Sequence, residues 1–250
     1  MASSTGGVQT VERAIDLLEI MTDLGGDATL SELADRSGLP LPTIHRLLRT
    51  LVQRGYARQM PSRRYALGPG VLRLADAAGR QLGAAARPHL ERVAAELGET
   101  ANLAMLDHEM AVYVAQASST HSMRMFTEVG RRVHLHCTGV GKMLLAALGE
   151  DEVRAIAQRT GLPAATEHSI TGADELVAEL GRIRERGYAV DDGEQEVGVR
   201  CFAVAVPDAP LATALSVSGP AARVTPEFAD VAVPVLREEA ARVGDRLAGR

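Results

Sequence analysis

Two groups of side chains in this 250-residue chain have types and spacings suited to recognising a partner. The first lies between Pro42 and Gln53. Ile44, Leu47, Leu48 and Leu51 recur at i, i+3, i+4 and i+7, the mark of a helix with one buried face. The opposite face carries Arg46, Arg49, Thr50 and Gln53, with Thr43 and His45 on its flanks. Arg and Gln read base edges in a major groove, while Thr and Arg hold phosphates. Arg63 and Arg64 follow at the tip of a short hairpin, placed to reach the DNA backbone or minor groove. From Arg36 to Arg73 there are eight arginines and no Asp or Glu, in a chain of formal net charge −5. A basic block on an acidic protein marks an anionic partner for that block alone. A helical subdomain with a merely solvated face would not need this order of helix, tight turn, Arg-rich helix and Arg-tipped hairpin.

The second group is dispersed. Thr138-Gly139-Val140-Gly141-Lys142 is a turn that opens a helix, where free amides favour an anion and glycines let it come close. It lacks the first glycine and the Ser/Thr of a Walker loop. Alone it is a weak signal, since in most proteins such a stretch is an ordinary strand-to-helix turn. Asp191-Asp192-Gly193-Glu194-Gln195-Glu196 holds four carboxylates in six residues. With no His near in sequence, it reads as a solvated loop with one inward Asp rather than a metal site. Ser216 and Ser218 flank Val217, so both hydroxyls point to one face of a strand. On a strand, His134 and His136 share a face and Cys137 points away, so zinc would need ligands from elsewhere. Neither Cys137 nor Cys201 sits in a nucleophile elbow. No catalytic residue, metal or cofactor is expected.

These residues need elements to hold them. Thr29 and Glu32 form a capping box that opens a helix closed by Gly38. Pro42 suits the start of the next helix, and Gly55 stops it. Tyr56–Gln59 and Arg64–Leu67 read as the strands of a wing around Met60–Arg63. An earlier helix, Thr10 to Leu24, turns Val11, Ala14, Ile15, Leu18 and Met21 toward a three-helix core. Met1 to Gly7 is small and polar and is expected to be disordered. After Gly68-Pro69-Gly70, a linker helix spans Val71 to Leu82, and another helix covers about Ala85 to Leu97. The period then changes to that of strands: Ala101–Leu106, Ala111–Ala117, Met123–Glu128 and Val133–Cys137. Helices are expected at Met143–Leu148, Glu150–Gln158 and Asp174–Arg186. Strands follow at Tyr188–Asp192, Cys201–Val206 and Leu211–Val217, and a closing helix from Pro226. This second region is α+β rather than alternating βαβ.

The totals agree. At this length there is room for two domains, and 46% apolar residues can fill their cores. Aromatics at 3% leave little for stacking on single-stranded bases. No apolar run approaches the length of a membrane span and no signal peptide is read, so a cytoplasmic location is expected. Two cysteines are too few for a disulfide framework.

Taken together, the chain resembles the IclR family of bacterial transcription regulators from about Val8 to the last helix. The residues that carry the likeness are Val11-Glu12-Arg13-Ala14 with Leu17-Leu18; Leu33-Ala34, Gly38-Leu39-Pro40 and Thr43-Ile44-His45-Arg46-Leu47-Leu48; and Tyr65-Ala66-Leu67-Gly68. They continue with His136-Cys137-Thr138-Gly139-Val140-Gly141-Lys142, Gly187-Tyr188, Asp191-Asp192, Gly198, Arg200-Cys201-Phe202-Ala203-Val204 and Leu215-Ser216-Val217-Ser218-Gly219-Pro220. Pro42 stands where many members have Ser, which removes a phosphate contact.

The resemblance implies an α+β chain. Residues 1–68 would form a winged helix-turn-helix, 69–84 a linker helix, and 85–250 a GAF-like effector-binding and oligomerisation domain. It implies a homodimer or homotetramer on a palindromic double-stranded operator, and a small carboxylate effector. In similar glyoxylate- or pyruvate-responsive members the pocket positions fall here on Met125, Val133, Gly139, Val140, Asp191, Val199, Cys201, Ser216 and Ser218. Gly139, Val140 and the serines would donate to the carboxylate, Asp191 would accept from a hydroxyl or amide, and Met125, Val133 and Val199 would form an apolar wall. The Asp, Cys and Ser-x-Ser set resembles regulators answering to glyoxylate or allantoin-pathway acids. The expected function is a DNA-binding repressor. The alternatives are an activator of the same build, or a GAF-like enzyme or metal sensor joined to a DNA-binding domain.

Overall fold

The computed structural model describes residues 7–125 and 127–249, with positions 81 and 82 as backbone only. The disorder expected for Met1 to Gly7 therefore falls, save for Gly7, outside the described residues. The chain divides into two compact units, Met1–Ala78 and Gly79–Arg250.

The first unit contains α1 (Gln9–Asp23), β1 (Asp27–Ala28), α2 (Leu30–Ser37), α3 (Leu41–Gln53), β2 (Ala57–Gln59) and β3 (Tyr65–Leu67). The capping box forms as the sequence requires: the Glu32 amide donates to Thr29 Oγ1 at 3.2 Å, and the Thr29 amide to Glu32 Oε2 at 2.7 Å. Gly38 closes α2 with φ at 66°, a conformation costly for residues with a Cβ. Leu17, Met21, Leu33, Ile44 and Leu48 are fully buried and form the core.

Two expectations about the elements of this unit need correction. The inward face of α1 is built on Leu17 and Met21, while Val11 and Ile15 are exposed at 55% and 49%. The apolar stripe of α1 is wider than the core it meets. The wing also has a third strand that was not expected: the sheet order is β1-β3-β2, with Asp27 opposite Ala66. A two-residue strand is too short to leave a period in sequence.

The helix α4 (Gly70–Leu82) spans the division between the units. The second unit holds α5 (Arg87–Leu97), β4 (Thr100–Asp107), β5 (Met110–Ala117), β6 (Arg132–His134), α6 (Gly139–Ala146), α7 (Glu150–Thr160) and α8 (Ala173–Arg186). It continues with β7 (Ala189–Asp192), β8 (Val199–Ala205), β9 (Thr213–Pro220) and α9 (Ala229–Leu247), the last preceded by a single 3₁₀ turn, Pro226–Phe228. The strands make one antiparallel sheet in the order β6-β5-β4-β9-β8-β7.

The period-2 alternation of the strands decides what each face meets. Leu103, Met105, Phe202, Val204, Leu215 and Val217 point to one face and pack with α5 and α9. Ala104, Ala203 and Ala214 point to the other and pack with α6, α7 and α8. Asn102, Cys201, Ser216 and Ser218 share the parity of those alanines. Large apolar side chains thus fill one interface, and small or polar ones stand beneath α6.

The segment 123–128 was expected as a strand, but none of its described residues is in one; Phe126 is outside the described set. The expected strand Val133–Cys137 ends at His134, and Leu135 to Thr138 turn into α6 four residues before the helix start anticipated at Met143. Glycines weaken a helix on propensity alone, but here the first turn of α6 is held by packing and a cap.

Candidate functional site

The first site is the outer face of α3. Burying Ile44, Leu47, Leu48 and Leu51 leaves His45, Arg46, Arg49, Thr50 and Gln53 exposed, with Thr43 half-buried. Among the described residues, Arg46, Arg49 and Arg63 make no ion pair. Thr50 Oγ1 donates to Arg46 O at 3.3 Å, so its proton is spent on its own helix and its oxygen remains as an acceptor. Pro42, His45, Arg46, Arg49 and Gln53, with Gln59 of β2 and Tyr65 of β3, line an open concavity of about 580 Å³. Arg63 sits at the wing tip with φ at 62° and its side chain exposed.

Arg64 departs from the expectation that it joins Arg63 at the tip. Its Nε donates to Asp27 Oδ2 at 2.5 Å, and its Nη2 lies 3.1 Å from Glu32 Oε2. The guanidinium is turned back to fasten β3 to β1 and the start of α2. The basic run contains no acid, but the acids just upstream of it reach Arg64 through the fold.

The second site is the start of α6 and the sheet beneath it. Thr138 caps the helix by accepting from the Gly141 amide at 3.1 Å, and its hydroxyl donates to His134 O at 2.8 Å. The Gly139 and Val140 amides find no acceptor among the described residues, as expected for the first turn of a helix. Gly139 is needed for close packing: a Cβ there would lie 2.9 Å from Cys201 Sγ. Gly141 is needed for the chain crossing, since its Cβ would meet Leu135 Cα at 2.5 Å.

Register then places the polar residues. Asn102 of β4 faces Ser216 of β9, Ser216 faces Ala203 of β8, and Ser218 faces Cys201. Cys201 in turn faces Asp191 of β7. Asp191, Cys201, Ser216 and Ser218 are therefore brought together in a row of strands under the Gly139-Val140 turn. Val199 lies two residues from Cys201 on the same strand face and is half-buried. Met125 is half-buried, and Thr100 Oγ1 donates to its carbonyl at 3.2 Å. Val133 stands on the opposite edge strand from Asp191, buried in the cluster that holds Val140.

The acidic loop is not the solvated stretch with one inward Asp that was expected. Asp191 and Glu194 are both buried, at 5% and 8% exposure. Asp191 Oδ1 accepts from the Glu194 amide at 2.8 Å and, more weakly, from the Gln195 amide at 3.4 Å. Glu194 pairs with Lys142, the single lysine of the chain, whose side chain is 1% exposed. Burial pushes Asp191 up to about 7, and the charge of Glu194 adds to the shift. Burial raises Glu194 as well, opposed by Lys142. Asp192 points outward and accepts from Arg200 at 2.6 Å.

The thiols nearby are quiet. Burial first, and then the charge of Asp191, pushes both Cys137 and Cys201 up to about 12, so each stays a thiol at neutral pH. Cys137 Sγ donates to Gln195 Oε1 at 3.2 Å. Burial lowers His136, whose Nε2 lies 3.0 Å from Pro163 O. Among the described residues, no group of three or more His, Cys, Asp or Glu is placed to hold a metal ion. His134 and His136 do not share a strand face, because the strand ends between them.

Sequence reasoning gave Asn102 and Tyr113 no role, and it named Lys142 and Glu194 in separate motifs without pairing them. Tyr113 pairs with Ala104 across β4 and β5, and its phenol is raised by burial and by the nearby Cys201 and Asp191. A chain with a single lysine gave one usable signal: a lone ammonium in a glycine turn. The burial of its partner left none.

Residues 10–61 match the family described as the IclR helix-turn-helix domain, and residues 76–244 match the bacterial transcriptional regulator IclR C-terminal domain. The chain is 37% identical to the transcriptional repressor IclR of Escherichia coli (strain K12), over 95% of this chain and 90% of that protein. It is 34% identical to the HTH-type transcriptional repressor AllR of the same strain, over 88% of this chain and 83% of that one. Among solved structures, a putative IclR transcriptional regulator from Silicibacter sp. TM1040 superposes with a TM-score of 0.87 at 30% identity, covering 96% of this chain and 97% of that chain.

Proposed function

The chain belongs to the IclR family of bacterial transcriptional regulators, and from that premise we propose that it is a repressor whose operator affinity is set by a small carboxylate. Thr43, His45, Arg46, Arg49, Thr50, Gln53 and Arg63 meet duplex DNA. Arg64 acts one step back, by holding the wing against α2. The operator is palindromic and the protein a homodimer or homotetramer, because a two-fold repeat in the DNA mirrors one in the protein. Residues 1–68 form the DNA-binding part, 69–84 the linker, and 85–250 the effector-binding and oligomerisation part. Its place of action is the cytoplasm, where its DNA lies; among the described residues no helix is long and apolar enough to cross a membrane.

The effector is glyoxylate or an allantoin-pathway acid. Its carboxylate takes the free amides of Gly139 and Val140 and the hydroxyls of Ser216 and Ser218. Asp191 and Cys201 lie beside it, and Met125, Val133 and Val199 supply the apolar wall. Regulation follows from linkage: an acid that prefers the non-binding arrangement lowers operator affinity by its differential affinity for the two states.

The observation that carries this reading is the outer face of α3, where Arg46 and Arg49 stand exposed, with no ion pair among the described residues, on a helix whose other side is core. The test is operator binding across a salt series. Each neutralised phosphate contributes about −0.9 to the slope of log affinity against log salt. A steep slope that becomes shallower in Arg49→Ala supports the reading; a flat one removes it. Thermal-shift measurements with small carboxylates identify the effector, since a ligand of the folded state raises Tm.

A further inference from the structure

We infer that Asn102 selects the effector, favouring acids that carry a hydrogen-bond donor beside the carboxylate, such as 2-hydroxy acids and hydrated 2-oxo acids. This rests on the effector site proposed above. Asn102 is 1% exposed and lies on the sheet face beneath α6. Its Nδ2 donates to Ser218 Oγ at 3.1 Å. Its Oδ1 is buried and has no partner among the described residues; the same holds for Ser216 Oγ, directly across β4 and β9, and for Gln116 Nε2, directly across β4 and β5.

Three buried polar atoms without partners on adjacent strands are rare in a folded protein, and each calls for a group to satisfy it; Asn102 Oδ1 and Ser216 Oγ are the two that a small acid under α6 would meet. Their needs differ. A hydroxyl can donate, so Ser216 is satisfied by a carboxylate oxygen. A carboxamide oxygen can only accept, and a carboxylate has no proton to give it. An acid with nothing but its carboxylate would displace water from Asn102 Oδ1 and leave that atom unpaired. An acid with a hydroxyl on the next carbon satisfies both. Directly opposed residues in an antiparallel pair have Cβ atoms about 5 Å apart, close enough for one such small acid to reach both side chains.

The experiment compares glycolate with acetate on the full chain by isothermal titration calorimetry. The two carry the same charge and differ by one hydroxyl. Wild type is expected to bind glycolate about ten- to a hundredfold more tightly. In Asn102→Leu the ratio should shrink to within about threefold, the residual expected once that hydrogen bond is gone. Asn102→Ala gives the same reading if the bulk of Leu prevents folding. Equal affinities in wild type, or a ratio kept in a folded variant, overturn the inference. A Ser216→Ala and Ser218→Ala double variant separates the two levels. If it weakens both acids while wild type shows no preference, only the role of Asn102 fails. If it leaves both acids unaffected, the site itself is wrong and the inference falls with it.

Discussion

The two units handle charge in opposite ways. On α3 the guanidinium groups of Arg46 and Arg49 face water and, among the described residues, make no ion pair. Under α6 the charges are inside: Lys142 on Glu194, and Asp191 on backbone amides. A duplex is a large anion that brings its own counterions, so exposed unpaired cations suit it, and release of those ions drives binding. A small acid must be stripped of water, so fixed donors in a shielded site suit it better. The strength of each site therefore comes from a different source: exposure in the first unit, prior order in the second.

That contrast can be broken most forcefully at Lys142. Lys142→Met should leave Glu194 buried without its cation and destabilise the second unit by about 3–5 kcal/mol, seen as a loss of Tm. Survival of that substitution at unchanged Tm would mean the pair is not an anchor. Arg49→Ala is the counterpart on the exposed side. It should cost about 1–3 kcal/mol of operator affinity and leave the Tm of the protein where it was. Anisotropy with labelled operator measures the first, and a thermal melt the second.

Asp191 gives a pH test. The folded protein holds its proton more tightly than the unfolded chain does, because burial pushes the group up to about 7. Its contribution to stability is therefore fully present below about pH 4 and is lost as pH rises through about 7. Between about pH 5.5 and 7 the loss is on the order of 2 kcal/mol. Asp191→Asn should flatten that part of the stability profile, and an unchanged slope would assign it to other groups. The smallest effect belongs to Thr29→Ala, which removes the cap of α2. It should cost about 1 kcal/mol and weaken operator binding only to the extent that the first unit unfolds.

The two units also differed in how far the sequence could be read. In the first, Thr29 with Glu32, Gly38 and the spacing from Ile44 to Leu51 act locally, and local signals determine helices. Arg64 escaped because Asp27 reaches it through a two-residue strand with no periodicity of its own, and Glu32 through the start of α2 that follows it. In the second unit the alternation of Ser216, Val217 and Ser218 was visible, and so was the glycine turn. The pairing of Lys142 with Glu194 was not, because the two lie 52 residues apart and meet only through the docking of α6 on the sheet. Asn102 sat unremarked in an apolar strand: one polar residue there is ordinary until its cross-strand neighbour is known to be Ser216.

The most direct test of the account is the coupling between the units. Operator affinity should be measured with and without the acid that most raises Tm, in wild type and in the Ser216→Ala and Ser218→Ala double variant. The account predicts that the acid weakens operator binding of wild type by roughly 5- to 150-fold and leaves that of the double variant unmoved. An equal shift in both proteins, or no shift in wild type, would contradict it.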